Sequence, residues 1–157
     1  MNLNISLLND ENVLKKIIKD VLLDLPEWFG IPESTQEYID EGSKLPTFVA
    51  DIDNEHIGFI TLKKLNNDEV ELYVLGIKRN HHRKGIGRKL VNETINYCKA
   101  KNIKRIIVMT MDESYEPFDI NYDNTRKFYE AVGFTKIKVD TDIWGLTCPC
   151  LILKLDI

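Results

Sequence analysis

Cysteine and histidine are scarce in this chain, and positive charge is in deficit. The three cysteines are Cys98, Cys148 and Cys150. An odd number, with two of them separated by a single proline, is a poor start for a disulfide framework. A zinc site built on these thiols would need further ligands, and the histidines are His56, His81 and His82, so no metal is expected. No apolar run is long enough to cross a bilayer, so no membrane partner is expected. The first 13 residues, MNLNISLLNDENV, lack a basic n-region followed by an apolar h-region, so no signal peptide is expected. Together with reduced thiols this points to a cytoplasmic protein. The net charge is -4, which weighs against nucleic acid as a partner, because a basic face dominates that affinity. Repeats, low-complexity tracts and Ser/Gly linkers are also missing, so residues 1–157 read as one domain.

What is present is a core-forming composition, with 43% hydrophobic residues, enough to bury a real core. Residues 4–8 (NISLL) read as a short first strand. Asn9 or Asp10 then caps a helix whose Val13, Leu14, Ile17, Ile18, Val21 and Leu22 fall at helical spacing. Two prolines and a glycine break the pattern over 24–32. Ser34 and Glu37 have capping-box spacing and Gly42 stands where a helix would stop, which predicts a second helix near 34–41. Strands at 47–52 and 56–62 join through Asp53 and Asn54, and a turn at 66–68 leads to a longer strand at 69–77. Residues 86–100 form an amphipathic helix burying Ile86, Leu90, Val91, Thr94, Ile95 and Cys98. RIIVMTM (105–111) is a strand covered on both faces. A helix near 123–131 ends at Gly133, and FTKIKV and CLILKL close the sheet. The order β-α-α-β-β-β-α-β-α-β-β predicts an α/β domain: a mixed central sheet of about seven strands flanked by about four helices.

One segment stands out against the acidic background. KRNHHRKGIGRKL, Lys78 to Leu90, packs six Lys or Arg residues around Gly85-Ile86-Gly87 and contains no carboxylate. It lies between a strand and a helix. The glycines let the backbone turn tightly and approach a ligand closely. The free N–H groups and dipole of the helix start make an anion site suited to phosphate or pyrophosphate. Arg83, Lys84 and Arg88 add charge at its rim. A phosphate-binding G-x-x-x-x-G-K-[ST] string is absent, and G-x-G-x-x-G fails because Leu90 takes the third glycine position. The pattern that fits is [QR]-x-x-G-x-[GA], here His82-Arg83-Lys84-Gly85-Ile86-Gly87, with His82 in place of Gln or Arg. A glycine turn capping a helix inside a solvated basic rim is the alternative.

LGIKRNHHRKGIGRKLV, followed downstream by FYEAVGF, resembles the GCN5-related N-acetyltransferase (GNAT) superfamily, and the element order matches over nearly the whole chain. The resemblance implies the GNAT-like acyl-CoA N-acyltransferase fold and acetyl-CoA as cosubstrate. It implies that the coenzyme A pyrophosphate rests on backbone amides of His82, Arg83, Lys84, Gly85, Ile86, Gly87 and Arg88. It implies too that the pantetheine arm and acetyl carbonyl lie beside Leu75, Gly76 and Ile77, where family strands splay, often at a bulge; Gly76 suits such an irregularity. Two departures matter. His82 is shorter than Gln or Arg. The last-helix pattern N-x-x-A-x-x-x-Y counts back from Tyr129 to Tyr122 and Thr125 instead of Asn and Ala, leaving Asn124 as a stand-in from a different register.

Amine acetylation needs a neutral amine, and a lysine-like amine of pKa about 10.4 is neutral about once in a few thousand molecules at pH 7. Tyr129 matches the family's general acid toward the departing sulfur; its structural alternative is an amphipathic core tyrosine. Glu71 matches the strand position of the base in the histone acetyltransferase branch. On an alternating strand it shares a face with Tyr73 and Leu75, and partial burial there would raise its pKa. Glu69, on the same face, is the runner-up, and Asp112 and Glu113 at the end of the next strand are weaker candidates.

The acceptor side is less defined. DESYEPFDINYD (112–123) holds five carboxylates and no Lys or Arg, with Tyr115, Phe118 and Tyr122 interleaved, a composition that attracts a cation. Trp28 and Phe29, between the first two helices, either line the cleft or pack in the core; Trp144 is similar. The expected activity is transfer of acetyl from coenzyme A to a primary amine of a small cationic molecule or peptide, by direct attack in a ternary complex. The alternative is a catalytically silent acyl-CoA-binding or regulatory module. A monomer and a homodimer are both compatible with the sequence.

Overall fold

The computed structural model describes residues 2–157. Its elements run β1 (Leu3–Leu8), α1 (Glu11–Leu23), α2 (Pro32–Gly42), β2 (Thr47–Ile52), β3 (Glu55–Lys64), β4 (Glu69–Ile77), α3 (Ile86–Ala100), β5 (Arg105–Met111), α4 (Ile120–Ala131), β6 (Thr135–Asp140) and β7 (Cys150–Asp156). The strands form one seven-stranded sheet in the order β1-β2-β3-β4-β5-β7-β6. The mixed sheet and helix count match the sequence expectation. Neighbours are antiparallel except β4 and β5, the parallel pair joined through α3. Among the described residues no helix is long and apolar enough to cross a membrane.

Local chemistry explains most boundaries. Asp10 caps α1 by accepting from the Val13 N–H at 3.1 Å. Leu14, Ile17, Ile18, Val21 and Leu22 are buried beneath it, whereas Val13 is 40% exposed and lies off the core stripe. Asp53 and Asn54 take positive φ in the β2–β3 turn, as a two-residue hairpin turn requires. α2 starts two residues earlier than its capping-box spacing suggests. Pro32 sets the first helical φ and has no N–H to satisfy, and Ile31 at the cap uses no side chain. α4 starts at Ile120, three residues early, because Asp119 accepts from the Asn121 and Tyr122 N–H groups.

Two apolar layers sandwich the sheet. One packs α3 and Tyr129 of α4 against Ile60, Leu72, Ile106 and Val108. The other packs α1 and α2 against Val49, Phe59 and Val74. A third, small cluster of Ile107, Cys150 and Ile152 stands apart from both.

The most consequential feature is in β4. Its ladder with β3 shifts between Thr61 and Leu62, which pair with Val74 and Leu72. Tyr73 is therefore an extra residue, a bulge that reverses the side-chain alternation. Leu75 then packs with the α3 side, while Tyr73 packs with the α1–α2 side; the shared face expected of Glu71, Tyr73 and Leu75 ends at the bulge. The irregularity expected at Gly76 thus falls three residues earlier, and Gly76 itself pairs regularly with Phe59. Gly76 is needed for packing instead. A Cβ there would lie 2.9 Å from Val21 Cγ1 and 3.3 Å from Phe59 Cε1, both on fully buried side chains. Gly76→Ala should therefore lower the unfolding free energy by about 1–3 kcal/mol. It would be read as a lower urea midpoint at unchanged slope; a wild-type midpoint would contradict this packing.

Candidate active site

The turn after β4 is pinned before it reaches the glycines. Lys78 N–H donates to Ile57 O at 2.8 Å, and its ammonium is 2.5 Å from Asp20. Arg79 N–H donates to the Asp24 carboxylate at 2.7 Å, and its guanidinium donates to Glu27 at 2.5 Å. These two cations are spent on the end of α1. His82 Nε2–H donates to the Ile77 carbonyl oxygen at 2.5 Å, closing the turn with the side chain that replaces Gln or Arg.

Beyond His82 the backbone opens toward solvent. Arg83 and Gly85 take φ of 61° and 76°. Gly85 is the N-cap of α3 and offers no side-chain acceptor, so the first-turn N–H groups of Ile86, Gly87 and Arg88 have no side-chain cap. Nothing lies within 4 Å of the Cβ position of Gly85. The two glycines have different duties. At Gly87 a Cβ would meet the Phe128 ring at 3.0 Å, so this glycine lets α3 pack against α4 and is not itself open to a ligand. Ile86 is core and offers the site its N–H alone. Arg83 and Lys84 are exposed at the rim, whereas the Arg88 guanidinium donates to Ala131 O at 3.4 Å and serves the end of α4.

The sheet opens beside this loop. β4 and β5 pair at Glu69–Arg105, Val70–Ile106 and Glu71–Ile107, and no further among the described residues. The edge of Leu75, Gly76 and Ile77 therefore faces a gap between diverging strands. Tyr129 is buried in the α3-side layer, with Phe128 and Phe134 rings at 5.4 and 5.5 Å. Burial, with Tyr38 and Tyr122 adding repulsion, pushes its hydroxyl well above the ordinary tyrosine pKa. Asn124 is exposed one helical turn before Phe128, on the stripe of α4 that faces the glycine loop.

Geometry sorts the four candidate carboxylates. Glu71 is half-buried, and burial raises its pKa while Lys63 opposes the rise. Lys63 is its cross-strand partner; the same ammonium lies 3.4 Å from Glu41 and 5.2 Å from the Tyr73 ring centroid. Glu69 is committed elsewhere, accepting from Asn66 at 2.8 Å and pairing with Arg105 at 3.7 Å. Asp112 is buried, which works against its charge, yet the Ser114 hydroxyl and N–H hold it below the usual carboxylate range. Glu113 is in solvent, 4.0 Å from Lys136. Glu71 alone among the four combines burial near the gap with a carboxyl favouring its protonated form.

The acidic 112–123 segment is less of a wall than its composition suggests. Asp119 is consumed as a helix cap, Asp123 pairs with Lys127 at 3.0 Å, and Phe118 is 65% exposed. Of the segment's rings, Tyr122 is tied into the structure, and it is joined by rings from other segments. Tyr38 of α2 stacks edge-on with Tyr73 at 5.3 Å and with Phe29 at 5.8 Å, which puts Phe29 in the α1–α2 layer. Tyr122 donates its hydroxyl to Trp28 O at 3.0 Å, and Trp28 stands edge-on to His82 at 6.0 Å. Trp144 lies in the β6–β7 loop, 41% exposed. Tyr38 and Lys63 went unnoticed in the sequence. Lys63 is findable by counting the β3–β4 register back from the turn at 65–68, because Lys64–Val70 and Lys63–Glu71 pair before the Tyr73 bulge; Tyr38 carries no local signal. Among the described residues no group of three His, Cys, Asp or Glu side chains is placed to hold a metal ion.

Comparison with known proteins is consistent in kind. Residues 14–134 match the model of the Acetyltransferase (GNAT) family. The chain is 30% identical over 91 residues to the Xenopus laevis protein named Probable N-acetyltransferase camello, a stretch covering 57% of this chain and 38% of that protein. Its fold is similar to a GNAT-family protein from Desulfovibrio desulfuricans, with TM-score 0.81 at 17% identity and 99% of each chain covered. It is also similar to the ribosomal-protein-S18-alanine N-acetyltransferase of Escherichia coli, with TM-score 0.76 at 15% identity, covering 99% of this chain and 94% of that one. An aminoglycoside 6'-N-acetyltransferase solved with coenzyme A gives TM-score 0.76 at 21% identity, covering 98% and 96%.

The raised pKa of Glu71 has a consequence for stability. A carboxyl whose folded pKa exceeds its unfolded value favours the fold fully below the unfolded pKa, about 4.3, and loses that advantage as pH rises through the folded value. Glu71→Gln should therefore melt above wild type at pH 7–8, with the difference vanishing near pH 4. Equal melting temperatures at neutral pH would contradict a desolvated Glu71.

Proposed function

The chain belongs to the GNAT family of acetyltransferases, and from that premise we propose that it transfers acetyl from acetyl-CoA to a primary amine. The observation that carries this reading is a juxtaposition. A helix N-terminus without a side-chain cap, at Gly85, adjoins a strand edge, Leu75 to Ile77, that has lost its partner across the gap. The first suits a pyrophosphate through N–H groups and a dipole worth about half a positive charge. The second offers backbone donors and acceptors to an extended, amide-bearing arm, as exposed sheet edges do.

The residues present fit coenzyme A. Backbone N–H groups from Arg83 to Arg88 hold the pyrophosphate, with Arg83 and Lys84 as the charged rim. His82 shapes the loop through Ile77 O and leaves direct contact to the backbone. Leu75, Gly76 and Ile77 orient the arm and supply an N–H to the thioester carbonyl oxygen, and Asn124 reaches the arm from α4. Bound here, acetyl-CoA supplies the activated acyl carbon.

Glu71 takes a proton from the incoming amine, directly or through one water. The amine nitrogen bonds the acyl carbon, the carbon–sulfur bond breaks, and Tyr129 donates to the departing sulfur. A phenol pushed above its ordinary pKa stays protonated but releases its proton uphill to a thiolate. Tyr129 therefore acts first as a hydrogen-bond donor to developing charge, and the proton that Glu71 has collected replenishes it through solvent. Tyr38, Tyr73 and Glu71 give the acceptor side rings and one carboxylate, a chemistry that favours a small cationic amine or a peptide amine. Solved relatives include enzymes named for an aminoglycoside and for a ribosomal-protein alanine, so both acceptor kinds occur on this fold.

A silent acyl-CoA-binding module is the second reading, favoured by Tyr122 and Thr125 standing where the family pattern has Asn and Ala. Thiol release from acetyl-CoA across an amine panel separates the two. The enzyme reading expects turnover with at least one amine, and a kcat about 100-fold lower or more in Tyr129→Phe, with the acetyl-CoA KM little changed. Coenzyme A binding by calorimetry with no amine turned over would establish the silent module instead.

A further inference from the structure

The two departures in α4 share one partner. The Tyr122 hydroxyl donates to Trp28 O at 3.0 Å. The Trp28 indole N–H donates to the Thr125 hydroxyl oxygen, also at 3.0 Å, and Thr125 donates onward to Asn121 O at 3.1 Å. An alanine at 125 would leave the indole without this acceptor. Trp28 belongs to the segment between α1 and α2 and packs with their layer, whereas the Tyr129 face of α4 packs with α3 on the opposite side of the sheet. Side chains rooted on opposite faces of a sheet meet where the sheet is open, and here it is open beyond Glu71 and Ile107. Trp28 also stands edge-on to His82, the residue tied to the last carbonyl of β4. Residue 28 is thus fixed at its backbone carbonyl by Tyr122, and its indole at the ring N–H by Thr125 and at the ring edge by His82, beside the end of β4.

We infer that Trp28 is a specificity-determining residue: clasped across the sheet opening by Tyr122 and Thr125, its ring closes the space beyond the thioester carbon and limits the transferred acyl group to acetyl size. The inference rests on the acyl-CoA reading of the site. The clasp accounts for both α4 departures at once. A longer acyl chain has to displace a ring held by a hydrogen bond to Thr125 on a backbone held by a second to Tyr122, so each added methylene carries a penalty that a loose pocket would not impose. In a close-fitting apolar pocket one methylene discriminates by roughly tenfold or more.

The test uses acetyl-, propionyl-, butyryl- and hexanoyl-CoA with one accepted amine, reading kcat/KM by thiol release and affinity by calorimetry. Wild type should fall about tenfold or more from acetyl to butyryl. Trp28→Ala should flatten that ratio. The double variant Tyr122→Phe with Thr125→Val keeps the ring and cuts both anchors, and should flatten it partly. The ratio is internal to each protein, so a general loss of activity cancels; where turnover is lost, the calorimetric affinities supply it, and the double variant carries the test if Trp28→Ala does not fold. A wild type that accepts butyryl as readily as acetyl, or variants that keep the wild-type ratio, would overturn the clasp. No thiol release from any acyl-CoA by wild type would sink the acyltransferase reading and the clasp with it. A selective wild type with unchanged variants would sink the clasp alone.

Discussion

β4 and β5 share a parallel ladder from Glu69–Arg105 to Glu71–Ile107 and then diverge. Each strand keeps its other neighbour: β4 stays with β3 to Ile77, and β5 stays with β7 to Met111. The divergence follows the Tyr73 bulge, which adds a residue to β4 and increases its local twist. It leaves backbone groups along β4 facing a gap inside the sheet, where such groups need partners. The proposed site is arranged about that gap: the glycine turn begins where β4 ends, Glu71 is the last paired residue, and Trp28 is hydrogen-bonded to α4.

The electrostatics follow from the same opening. Glu71 and Tyr129 are both shifted toward their protonated forms, chiefly by burial. In the proposed mechanism this secures Tyr129 as a donor and brings the pKa of Glu71 nearer to that of the proton it would take, with Lys63 opposing the rise. Most of the basic residues that make the glycine segment conspicuous serve structure. Lys78 and Arg79 fasten the turn to α1, and Arg88 serves the end of α4. In the proposed reading the anion site is left to backbone N–H groups with Arg83 and Lys84 at its edge, so positive charge steers while geometry selects.

The fold was legible because each element is locally consistent. Apolar spacing marked α1 and α3, Asp53-Asn54 marked a hairpin, and the continuous apolar run of β5 marked a strand covered on both faces. The glycine loop was legible because its requirement is local: a residue at positive φ ahead of a helix. What stayed hidden depends on register and on distant partners. The Tyr73 bulge has no glycine or proline to announce it, so Leu75 was placed on the wrong face and the irregularity at Gly76. The acidic stretch before α4 looked like a binding wall, yet Asp119 and Asp123 are used within the helix itself. The clasp on Trp28 appears when residues 94 and 97 positions away in sequence are brought beside it.

The central claim is that coenzyme A lies along the unpaired edge of β4 with its pyrophosphate on the N-terminus of α3. Amide hydrogen exchange with and without saturating coenzyme A tests it most directly. The account predicts slowed exchange in the segments containing Leu75–Ile77 and Arg83–Arg88, with the edge strands β1 and β6 unaffected. Saturable binding that leaves both segments unprotected, or that protects the outer surface of α2 instead, would contradict it.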